Sequence, residues 1–119
     1  MDPLKEAIDH ELLLGSQLLA RHSAAAAFRH FERAHILSQR RTWDHLRSHA
    51  WMWRAGWLRR DVGELLGQTL RMVAALVFSR VWVPEGNTGG AGVSAFRPMP
   101  VPEDLRAILQ RPRPRLRYG

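Results

Sequence analysis

Cysteine is absent from all 119 residues. That removes a disulfide framework, a thiolate nucleophile and any cysteine-based metal site. No apolar run approaches the roughly 20 residues that span a bilayer. The start, Met1-Asp2-Pro3-Leu4-Lys5-Glu6, lacks the basic-then-apolar layout of a secretory signal. Acidic residues are few, 11 against 18 basic ones, giving a formal net charge of +7 carried almost entirely by arginine. These features describe one small soluble domain with a single core, expected in the cytoplasm.

A balance this basic admits nucleic acid, anionic lipid or an acidic protein as partner. The arginines are spread over outer helix faces, however, which is the pattern of a solvated surface. Nucleic acid is therefore not the expected partner; a protein partner is a possibility that the sequence leaves open. The exception is the tail, residues 111–119, which carries Arg111, Arg113, Arg115 and Arg117 with no acid and two prolines, Pro112 and Pro114, that forbid helix. Its one aromatic, Tyr118, offers little stacking for bases. The expectation is a disordered basic tail after a single helical domain, residues 1–110.

Four long helices are expected in that domain. Asp2-Pro3 caps the first, which runs to about Ala20 with Leu4, Ile8, Leu12, Gly15, Leu18 and Leu19 on its apolar face. Ser23 precedes the second, which opens on Ala24-Ala25-Ala26-Ala27 and lasts to about Arg41. Thr42 and Asp61 are positioned to cap the third and fourth. The fourth places Val62, Leu65, Leu66, Thr69, Val73, Leu76 and Val77 on an apolar face expected to be buried. A Gly/Pro-rich loop, 83–102, and a short helix from Glu103 to Gln110 follow. The turns at Arg21-His22-Ser23 and Arg59-Arg60-Asp61 lie about 38 residues apart, near the roughly 34 of a tetratricopeptide repeat. The fold class is all-α: two antiparallel tetratricopeptide-like hairpins, closed by the loop and the short C-terminal helix.

The second helix breaks the rule for an inner face. Phe28, Glu32, His35 and Gln39 share one stripe, with Phe31 beside it. Glu11 lies inside the apolar face of the first helix. His45 and His49, one turn apart, face inward from the third. A buried ionisable group must find a partner. Glu-x-x-His and His-x-x-x-His each set two ligands one turn apart, and helical bundles build metal sites from such pairs. Glu11, Glu32, His35, His45 and His49 are thus the candidate ligands of a divalent metal ion, with iron, zinc, manganese or copper suited to the set. The second Glu-x-x-His of a two-metal centre is missing, which favours a mononuclear or an incomplete site over a dinuclear one. Gln39 is a candidate for orienting an imidazole through its far nitrogen. Two alternatives stand beside the metal: a closed Glu/His hydrogen-bond network that fixes helix register, and a metal-free acid–base pair. In the first of these the protein is a helical interaction module. Trp53 and Trp57 are expected in the core, with Trp43 and Trp51 partly exposed.

The run from Glu32 through His35 to Gln39, then His45 and His49, then Gly86-Asn87-Thr88-Gly89-Gly90 and Ser94-Ala95-Phe96-Arg97-Pro98-Met99-Pro100, resembles the bacterial domain-of-unknown-function family 3703. The resemblance covers roughly residues 3–110. It implies a small bacterial helical protein in which the Glu/His stripe and the Asn-Thr-Gly-Gly loop are family features. No activity or catalytic residue comes with it. The loop itself resembles a phosphate cradle but lacks the Lys-Ser/Thr of a P-loop. Its glycines suit a segment passing close to the helices over the Glu/His pocket, anchored by Phe96, Met99 and Val101.

Overall fold

Asp2 opens the first helix. In the computed structural model, which describes residues 2–78, 89–90 and 98–111, its carboxylate accepts from the backbone N–H groups of Leu4 at 3.1 Å and Lys5 at 3.3 Å. Two of the helix's orphan donors are thereby satisfied, and Pro3 presets the first helical φ. Five helices follow: α1 Pro3–Ala20, α2 Ala24–Ser38, α3 Thr42–Leu58, α4 Val62–Phe78 and α5 Glu103–Leu109. No strand occurs among the described residues.

The turns α1–α2 and α3–α4 are built alike. His22 (φ 60°) and Arg60 (φ 53°) take the left-handed conformation just past the helix ends. The Ser23 N–H then reaches back to Leu18 O and the Asp61 N–H to Gly56 O, both at 2.9 Å. Those long back-bonds, with His22 to Leu19 and Arg60 to Trp57, are the Schellman pattern that reverses a helix tightly. Asp61 then caps α4 by accepting from the Glu64 N–H at 3.0 Å. Ser23 occupies the cap position of α2 without a side-chain bond. Consecutive helices pack antiparallel, and α5 lies across α1 and α2.

The core is the shared interior of α1, α2 and α3. Leu4, Ile8, Leu12 and Leu19 meet Ala27, Phe31, Ala34 and Leu37, and Met52 and Ala55 close it from α3. Val101 and Leu105 seal the side covered by α5. Phe31 lies flat against α1 because Gly15 has no side chain; a Cβ there would meet the ring at 2.3 Å. Trp51 stacks on the other face of Phe31, centroids 5.5 Å apart, with the Arg54 guanidinium over its own ring.

Four expectations need correcting. Thr42 does not cap α3: it is the first helical residue, and Arg41 holds the cap position without a side-chain bond. Trp57 is not core: it is 62% exposed, stacked on a half-buried Trp53. α2 ends at Ser38, earlier than Arg41, and Gln39 and Arg40 form the turn into α3. The largest correction is α4, which turns its apolar face outward. Val62, Leu66, Val73, Leu76 and Val77 are exposed, as is Leu70, while Gln68 is fully buried and Glu64 and Arg71 half-buried. Among the described residues α3 is the only helix packed against α4. Its inner face is set by what α3 offers, which is polar at His49 and close-packed at Gly56 against the Glu64 stem. The tail beyond Arg111 and most of the loop 83–102, including Asn87, Thr88 and Phe96, lie outside the described residues.

Candidate metal centre

His35 occupies the last turn of α2 and His45 the first turn of α3, so the tight α2–α3 turn brings them face to face. His49 is one turn beyond His45 on the same side of α3. All three are buried, at 3%, 6% and 3% exposure. Their ring centroids form a nearly equilateral triangle with sides of 4.6, 4.6 and 4.8 Å. Within it the Nε2 atoms converge: His45 Nε2 is 2.8 Å from His35 Nε2 and 3.1 Å from His49 Nε2. One ligand atom from each residue lies within 4.8 Å of the others, the arrangement of a group that can hold a metal ion.

Burial keeps His45 and His49 neutral near pH 7. It pushes His45 down to about 4 and, together with the charge of its neighbour His45, His49 down to about 3. A neutral imidazole is the ligand form. The neutral cluster has a difficulty of its own. Gln68 Oε1 lies 2.5 Å from His49 Nδ1 and can only accept, so Nδ1 carries the proton and His49 Nε2 is a bare lone pair aimed at His45. If His45 is protonated on Nε2, its Nδ1 lone pair is buried with no partner among the described residues. If it is protonated on Nδ1, that N–H is unpartnered instead, and two Nε2 lone pairs face each other. Either choice costs free energy. A cation at the centre turns convergent lone pairs into ligands. Tetrahedral zinc with Zn–N of about 2.0–2.1 Å places nitrogens about 3.3 Å apart; the two contacts of His45 Nε2, at 2.8 and 3.1 Å, are somewhat shorter, so a bound ion would spread the rings slightly.

Glu11, expected among the ligands, lies elsewhere. Glu11 is buried as its place in the α1 face implies, but it belongs to a separate network. Its Oε2 meets His30 Nδ1 at 2.7 Å and its Oε1 accepts from Arg33 Nε at 2.9 Å. Arg33 continues to Asp104 on α5, so this chain ties α1, α2 and α5 together. Glu32 is half-buried one turn before His35 and falls outside the three-histidine group. Gln39 is half-buried beyond the end of α2.

Two residues complete the surroundings. Gln68, within the otherwise aliphatic run of α4, is the hydrogen-bond partner of His49; its only signal in the sequence is Glu64 one turn earlier. Gly89 (φ +81°) lies against the other side of the cluster, where an added Cβ would meet the His35 ring at 2.5 Å. Gly90 passes beside Phe28 in the same way, more loosely. The expectation that the glycines pass close to the helices thus holds at Gly89 and Gly90, and at Gly89 the segment lies against the histidine cluster. Ser38 and Ser48, both fully buried, donate to the carbonyls of His35 and His45 and place no demand on the rings.

The chain matches, over residues 2–109, the family model described as "Protein of unknown function (DUF3703)". No curated protein and no solved structure matches it.

Proposed function

We propose, for a chain that belongs to the family of unknown function DUF3703, a metal-binding role. Nε2 of His35, His45 and His49 would hold one d-block ion. The observation that carries this reading is the convergence of three buried imidazole nitrogens on one point. Three neutral nitrogens, with neither thiolate nor carboxylate in the group, suit zinc, copper or iron better than manganese. They leave the charge of the ion uncompensated and one coordination position open, which is the arrangement of a Lewis-acid site. Glu11 is not a ligand in this reading, because His30 and Arg33 occupy both its oxygens. Equilibrium dialysis against zinc, copper(II), iron(II) and manganese tests the role. The wild type takes up one equivalent and His45→Ala, which removes the nitrogen in contact with both others, takes up none. Equal uptake by the two proteins would overturn the assignment.

A second reading, a helical interaction module, is favoured by the outward apolar face of α4. Leu66, Leu70, Val73 and Val77 repeat at the four–three–four spacing of a helix–helix seam, and the only charged group between Leu65 and Phe78, Arg71, is half-buried off that face. In a chain of net charge +7, an uncharged face is where two copies can meet without repulsion. Repeated hairpin turns about 38 positions apart fit the same tetratricopeptide-like reading.

A further inference from the structure

Gln68 is a fully buried amide on a helix whose other long side chains are mostly aliphatic. Such a group is costly unless all its hydrogen bonds are made. Here both ends are engaged. Nε2 donates to Glu64 Oε1 at 2.7 Å and to Gly89 O at 2.8 Å, with Met52 Sδ at 3.3 Å. Both oxygen partners are pure acceptors, so the reversed amide would set its oxygen against them. The chemistry of the neighbours therefore fixes the amide's direction. Oε1 is left pointing at His49 Nδ1, 2.5 Å away.

We propose that Gln68 is the positioning residue of the three-histidine site: it selects the His49 tautomer whose Nε2 lone pair faces His35 and His45, and so sets the affinity for metal. This rests on the metal-binding reading above. A metal-bound histidine commonly donates its far N–H to an oxygen that fixes the ring and raises its basicity. Glu64 extends the effect, since a carboxylate on the amide N–H polarises the amide and strengthens its oxygen as an acceptor. The same amide holds the carbonyl of Gly89, whose Cα lies against His35. One side chain from α4 thus orients one ligand directly and braces the backbone beside another.

The test uses Gln68→Met, which keeps nearly the same length and volume while removing the acceptor. Zinc affinity is measured by competition with a chromophoric chelator, alongside the melting temperature of the chelator-treated proteins. The ring nitrogens of His49 are assigned by 15N NMR in zinc-free protein. The proposal expects wild-type His49 to be protonated on Nδ1, and zinc binding about 10–100-fold weaker in the variant, with that preference lost. A wild type protonated on Nε2 overturns it even if the variant does not fold. Unchanged affinity in a folded variant overturns it while leaving the metal site standing. A wild type that binds no zinc, copper or iron overturns the metal reading and this role with it.

Discussion

His35, His45 and His49 are all buried, and for His45 and His49 burial carries a signature in pH. The folded-state values of His45 and His49, about 4 and about 3, lie below the ordinary 6.5. As pH falls through 6.5 the unfolded chain takes up protons that the folded chain refuses, so acidification favours unfolding. The stability from keeping these rings neutral is fully present above about pH 6.5 and is lost as pH falls toward 4 and then 3. Each ring contributes a slope of at most about 1.4 kcal/mol per pH unit in that window. Chelator-treated protein melted at pH 7.5 and at pH 5 will show the drop, and His45→Ala will show a smaller one. Equal pH slopes in the two proteins would count against neutral buried rings. Gly89 supplies the second residue-scale prediction. Gly89→Ala combines a disfavoured φ with a collision on His35, so it costs about 1–3 kcal/mol and weakens metal binding. Thermal melting with and without zinc measures both. The three histidines were legible in the sequence because helical spacing put them on faces that had to be buried. Gln68 was not, since an amide carries no charge to draw attention to it, and its role depends on Glu64, Gly89 and His49 arriving from three segments.

At the scale of elements, Glu11 shows where spacing alone stops. Its place inside the α1 face foretold its burial, and it is buried. Its partners came from His30 and Arg33, residues on the flank of α2 that helical spacing set apart from the buried stripe. Which flank meets a neighbour is decided by how two helices cross, and one helix's periodicity does not contain that angle. The separation has a consequence. Glu11→Gln loses a charge-assisted pair with Arg33 and about 1–2 kcal/mol of stability, yet leaves zinc affinity unchanged. Denaturant titration and zinc competition on the same preparation check the two halves; a loss of affinity would return Glu11 to the ligand set. α4 is the other instructive element. Its apolar stripe was plain in the sequence, and the inference that the stripe faces the core was wrong. Periodicity identifies an apolar face without saying what covers it.

The whole molecule joins a basic surface to an uncharged apolar face. Among the described residues that face of α4 carries six aliphatic side chains from Val62 to Val77, each more than half exposed. Soluble monomers rarely leave so much contiguous apolar surface to water. Sedimentation should therefore show concentration-dependent dimers, abolished by Leu70→Glu with Val73→Glu and without loss of bound metal. A monomer at all concentrations would count against the second copy as occupant. Among the described residues no helix is long and apolar enough to cross a membrane.

The proposed metal site draws its three histidines from two helices. Elemental analysis of protein purified without a histidine tag and without chelator, beside His35→Ala/His49→Ala prepared in parallel, tests it most directly. Close to one equivalent of zinc, copper or iron is expected in the wild type and none in the double variant. A wild type that carries no metal and takes up none when offered would contradict it, and would leave the three rings as a buried polar cluster that fixes the register of α2 against α3.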